Sequence, residues 1–168
     1  CGALLDPTEL KEPRSALNPQ DKLELRNTKH LFLDLPKLQS KVRDWTNTLE
    51  NPSKVVSGII RKWLEEGLEQ RCITRDLDWG IKVPKPGYED KVFYVWFDAP
   101  NGYISITMDW AHSISKPEAW QEWWLTGTEV NCTQFMAKDN VPFHAVMWPA
   151  ILLGTEQPWH MVDYIKGF

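Results

Sequence analysis

A chain of 168 residues, 42% hydrophobic and 25% charged, is long enough for a domain with a real core and too apolar to be disordered. Its net charge of −4 argues against a broad basic face, so an RNA partner would have to be held by local basic residues or by another part of a longer protein. No apolar run approaches the ~18–20 residues that span a bilayer. No secretory signal pattern is present, and Cys1, Cys72 and Cys132 are too few and scattered for a disulfide framework; the expected setting is reducing and cytoplasmic.

Taken in order, Cys1-Gly2-Ala3-Leu4-Leu5 reads as the turn of a zinc knuckle. Cys1 is then one ligand of an incomplete metal site, because no second cysteine pair follows to complete four ligands. Residues 6–29 are polar and broken by Pro7, Pro13 and Pro19, which predicts loop. His30-Leu31-Phe32-Leu33-Asp34-Leu35 alternates as a strand does. Pro36 then opens a helix through Trp45, with Leu38, Val42 and Trp45 on one face. A second helix is predicted over 54–66, its stripe formed by Val55, Ile59, Ile60, Trp63 and Leu64, with Gly67 placed to end it.

The character changes at residue 71. A short strand from Arg71 leads into a charged turn at 76–80, and a Pro/Gly-rich connection at 84–88 precedes Phe93-Tyr94-Val95-Trp96-Phe97. That aromatic and β-branched run predicts a buried strand over 92–97, broken sharply at Asp98-Ala99-Pro100-Asn101-Gly102. Helical stretches are predicted at 103–112 and 120–124, and Cys132 to Ala137 reads as another strand. A helix should start at once, capped by Asp139 or Asn140, with Pro142 in its first turn and a kink at Pro149. His160 to Ile165 reads as a last strand. Alternating strands and helices predict an α/β fold on a parallel sheet, whose strand ends are where ligands bind.

Lys138 and Asp139 fall at one such strand end, and His144 in the helical turn that follows. A carboxylate there can accept from ribose hydroxyls, and His144 could act as a base, a metal ligand or a hydrogen-bond donor to a bound ligand. The sequence carries no Ser or Cys nucleophile elbow and no phosphate-binding Gly/Lys loop.

The run from Phe93 to Tyr103, together with Phe135-Met136-Ala137-Lys138-Asp139-Asn140-Val141-Pro142-Phe143-His144, closely resembles the methionyl-tRNA synthetases, class I aminoacyl-tRNA synthetases. Cys72-Ile73-Thr74-Arg75-Asp76-Leu77, His30 to Leu35 and Pro7-Thr8-Glu9-Leu10 agree with them too, and the wording of 72–76 and 135–144 is closer to the eukaryotic cytosolic form. The resemblance implies a Rossmann-like parallel sheet: residues 1–70 would be the end of a knuckle-type connective insertion, and 71–168 the second half of the catalytic domain. It implies a methionine pocket of Trp96, Ala99, Pro100, Tyr103, Asn140, Phe143 and His144. Ala137 and Asp139 would lie near the adenosine ribose, while Arg75, Lys138 and Asp98 support the site. The co-substrates would be ATP with Mg and L-methionine, and the acceptor tRNA(Met); zinc would belong to the full knuckle, and a multi-synthetase complex to a eukaryotic member. The family's His-x-Gly-His and Lys-Met-Ser-Lys-Ser motifs do not occur in this sequence. The chain is therefore expected to be a piece of a longer enzyme, inactive alone and without catalytic residues of its own. The alternative is a non-catalytic relative that senses methionine or acts as a scaffold.

Overall fold

The computed structural model describes residues 11–15, 17–24, 26–127 and 129–168, so the expectations resting on Cys1 and on Pro7 to Leu10 lie outside the described residues. The chain groups into two compact units: one takes in the residues up to Leu33 with Cys72–Tyr94, the other Asp34–Arg71 with Val95–Phe168.

In the first unit, the strands Thr74–Arg75 and Val92–Phe93 pair antiparallel, and Lys82 bridges Val92 on the same strand's other edge. Val83, Val92 and Thr74 are buried between them. Thr74 accepts from the Leu31 amide at 3.1 Å, and its hydroxyl lies 2.9 Å from His30 Nδ1. His30 Nε2 in turn lies 3.3 Å from the Asp76 carboxylate. Lys91, with its side chain only 8% exposed, ion-pairs with both Asp76 and Asp90. A buried ammonium is tolerable only when paired. Hydrogen bonding to Lys91 holds both carboxyls below the usual range, and these partners raise the Lys91 ammonium above its own.

The second unit holds most of the core. The helix Leu35–Thr46 begins on Asp34 with Pro36 in its first turn, and buries Leu35, Val42 and Trp45. The predicted strand before it shrinks to Phe32–Leu33, because Leu35 is already helical. The helix Lys54–Glu66 is capped by Ser53, whose hydroxyl accepts from Val56 N at 3.3 Å, and ends on Gly67 at φ +86°. Its buried residues are Val56, Ile60 and Leu64; of the expected stripe Ile60 and Leu64 are buried, Ile59 and Trp63 half-buried, and Val55 is exposed, its place taken by Val56.

Thr133–Met136 and Tyr164–Gly167 pair in parallel, Thr133 opposite Tyr164 and Met136 opposite Gly167. The intervening chain makes a 3-10 turn at Lys138–Asn140, a π-helical stretch at Phe143–Met147 and a helix at Trp148–Gly154. The π stretch is the physical form of the kink expected at Pro149. Proline has no N–H for the Ala145 carbonyl and its ring crowds that turn, so the ladder widens just before it. Neither Asp139 nor Asn140 caps by its side chain. Leu35–Thr46 packs on this helical segment, and Lys54–Glu66 on the last strand.

The α/β class holds, with one correction at its centre. The strand expected over 92–97 is two residues long and antiparallel; Val95–Asp98 is a helical turn, running through a 3-10 turn at Ala99–Asn101 into the helix Gly102–Ser113. The Phe93 and Tyr94 amides go to the carbonyls of Ile81 and Ile73, at 2.8 and 2.9 Å, and the ladder stops there. Val95 is 60% exposed, which a central strand would not allow. Short apolar runs do not distinguish strand from helix by pattern, and Pro100 favours the helical start.

Candidate functional site

The helical turns at 95–101 and the π stretch at 143–147 bring most of the predicted ligand residues into one cluster. The Trp96 and Phe143 rings stack with centroids 4.5 Å apart and planes 13° from parallel. Beside them the Tyr103 hydroxyl lies 3.0 Å from His144 Nε2, and His144 Nδ1 lies 2.9 Å from the Asn140 carbonyl oxygen. A carbonyl can only accept, so Nδ1 carries the hydrogen. In the neutral ring Nε2 is then the acceptor, and the Tyr103 hydroxyl donates to it. His144 is buried while Tyr103 is 42% exposed, so the pair joins the interior to the surface. Pro100 is buried and Ala99 exposed; Asp98 is half-buried at the end of its helical turn.

Four contributors escape the sequence reading. Trp148 is only 1% exposed, its ring 5.6 Å from Tyr103 and 5.9 Å from Trp124. Its Nε1 donates to Asn101 Oδ1 at 3.2 Å, and Trp124 Nε1 donates to Thr107 Oγ1 at 2.8 Å. The spacing of Trp148 from His144, four residues on a helical segment, was a usable signal. Asn101 carried none beyond its membership of a turn.

Ala137, Lys138 and Asp139 are exposed just past the carboxyl end of Thr133–Met136, with Lys138 N donating to Phe168 O at 2.8 Å. That is the end of a parallel pair where ligands of such sheets bind. Arg75 belongs to the first unit, where its guanidinium lies 3.9 Å over the Tyr94 ring and donates to the Cys72 and Thr74 carbonyls.

Other candidates are weaker. Asp76, His30 and Thr74 line up like a nucleophile triad, but Thr74 is wholly buried and its hydroxyl is already engaged by the Leu31 amide and His30. Burial and the Asp163 carboxylate push the Cys132 thiol up, away from a reactive thiolate. A concave surface of about 380 Å³ lined by Ile106, Thr107, Trp110 and Trp123 offers no ionisable group. Among the described residues no three His, Cys, Asp or Glu side chains gather as a metal would need. No helix among them is long and apolar enough to cross a membrane.

The comparisons with known proteins bear on the whole chain. The family model described as tRNA synthetases class I (M) matches residues 1–167. Methionine–tRNA ligase 1 of Acaryochloris marina is 54% identical over 168 residues, covering all of this chain and 30% of that protein. Methionine–tRNA ligase of Streptomyces avermitilis is 49% identical over 178 residues, again covering all of this chain and 31% of the relative. The chain thus spans about a third of the length of these bacterial relatives, which lend no support to a eukaryotic complex. Among solved structures, Mycobacterium tuberculosis methionyl-tRNA synthetase bound by methionyl-adenylate is similar at 25% identity and a TM-score of 0.60, over 82% of this chain and 26% of that one. Its apo form is similar at 24% identity with the same TM-score, a likeness of fold. A match to the family model from end to end, with two relatives near half identical over its full length, establishes that this chain belongs to the class I (M) tRNA synthetases.

Proposed function

We propose that the polypeptide to which this chain belongs activates methionine with ATP to methionyl-adenylate and transfers it to tRNA(Met), in the cytoplasm. In this reading the chain supplies much of the methionine pocket. Residues 1–70 are assigned in sequence order to the end of the connective insertion and 71–168 to the second half of the catalytic domain. The observation that carries the proposal is the Tyr103–His144–Asn140 hydrogen-bonded chain set beside the Trp96–Phe143 stack.

The chemistry suits a thioether. Aromatic rings contact sulfur favourably, by ~0.3–1.5 kcal/mol, and an unbranched thioether can lie along a ring face or edge. A purely apolar slot discriminates poorly between substrates of similar size. Sulfur accepts but does not donate, and the Tyr103 hydrogen already goes to His144 Nε2. Methionine is therefore met by redirecting that hydroxyl, and norleucine, which offers no acceptor, gains nothing from it. Trp96, Ala99, Pro100, Tyr103, Asn140, Phe143 and His144 form the methionine wall. Ala137 and Asp139 are assigned to the adenylate, since an adenylate is bound in the M. tuberculosis enzyme, with Lys138 and Asp98 in supporting roles. ATP brings its own Mg²⁺. Among the described residues no three His, Cys, Asp or Glu side chains gather to hold that ion or zinc.

The test is amino-acid-dependent ATP–pyrophosphate exchange by the full polypeptide across the apolar amino acids, with this chain alone as control. Exchange with methionine and none from the chain alone is expected. Methionine binding without exchange by the full polypeptide would overturn the synthetase reading in favour of a sensor.

A further inference from the structure

Asn101 sits in the 3-10 turn between the turn bearing Trp96 and the helix bearing Tyr103. Its amide is oriented by what surrounds it. Nδ2 lies 3.4 Å from the Phe97 carbonyl, which needs a donor, and Oδ1 lies 3.2 Å from Trp148 Nε1, which needs an acceptor. A flipped amide would oppose donor to donor and acceptor to acceptor. Trp148 is fully buried and wedged between Tyr103 and Trp124. Burial does not by itself supply an indole with a partner: Trp45 is buried too, and its Nε1 has none among the described residues. The anchor on Trp148 is a particular feature of this site.

We propose that Asn101 is a positioning residue of the methionine pocket, locking Trp148 under Tyr103 while tying it to the turn that carries Trp96. The inference rests on the function proposed above. Asn101 touches no ligand; it acts through two rings that do or that support one that does. Loss of the amide frees Trp148 to rotate, and Tyr103 loses the floor that aims its hydroxyl at His144.

The test compares Asn101→Leu and Asn101→Asp in the full polypeptide. Leu removes both hydrogen bonds at similar volume, whereas Asp keeps the acceptor for Trp148. Asn101→Leu is expected to raise the methionine KM about tenfold while the ATP KM stays within about twofold, and Asn101→Asp to restore most of the loss. The Trp148 indole N–H resonance, assigned with Trp148→Phe, should exchange with solvent faster in Asn101→Leu than in wild type. Equal rises in both KM values, an unrescued Asp variant at wild-type melting temperature, or an unchanged indole exchange rate would overturn the proposal. Absence of exchange activity in the wild type would instead overturn the function, and the indole readout would still decide whether Asn101 anchors Trp148.

Discussion

His144 spends both ring nitrogens within the protein, one on the Asn140 carbonyl and one on the Tyr103 hydroxyl. Single neutral hydrogen bonds contribute ~0.5–1.5 kcal/mol, a factor of about three to ten in an equilibrium. Tyr103→Phe is accordingly expected to raise the methionine KM three- to tenfold, with norleucine barely affected, in steady-state exchange assays. An equal effect on both amino acids would show that the hydroxyl does not read the sulfur. At this scale the sequence was informative where a residue has distinctive chemistry. Trp96 stacks on Phe143 and Tyr103 hydrogen-bonds to His144, four residues whose chemistry already stands out in the sequence. Asn101 does not stand out, because its role depends on a hydrogen bond across 47 residues that no local pattern encodes, and Trp148 showed only its helical spacing from His144.

Between elements, close approach and charge decide. A Cβ built on Gly167 would lie 3.0 Å from Val56 Cγ2 and 3.1 Å from Val141 Cγ2, so the last strand and the Lys54–Glu66 helix meet where glycine leaves room. Gly167→Val is expected to cost ~1–3 kcal/mol by overpacking, read as a lower denaturation midpoint. Ser53→Ala, which removes the cap of that helix, should cost about 1 kcal/mol. In the first unit, the Asp76 carboxyl is held low by Lys91, so its contribution is complete above the ordinary carboxylate pKa of about 4 and is lost as pH falls through the lower folded value. Lys91, raised by the same pair, contributes fully below about pH 10 and loses that only as pH rises through its folded value. Amide protection over 72–94, measured against the intrinsic exchange rate at each pH, should therefore fall in acid, and Asp76→Asn should flatten that dependence; an unaltered acid limb would contradict this account. The helices at 35–46 and 54–66 were legible from Pro36, Gly67 and apolar periodicity. The 92–97 segment was not, because an aromatic run that packs in a helical turn looks the same in sequence as one in a buried strand.

Over the whole molecule, the sequence motifs identified the family, whereas the compact units interleave along the chain in a way composition does not reveal. Residues up to Leu33 join Cys72–Tyr94, so neighbours in space come from segments nearly forty residues apart. The chain covers about a third of the length of its relatives, so the proposed activity is to be tested on the full polypeptide. The most direct measurement is methionine-dependent ATP–pyrophosphate exchange by that polypeptide, wild type and His144→Ala, with methionine and norleucine in parallel. The account predicts exchange in the wild type, with a methionine-to-norleucine ratio of kcat/KM that falls about three- to tenfold in His144→Ala, because the Tyr103 hydroxyl that reads the sulfur loses the partner that aims it. An unchanged ratio would contradict it.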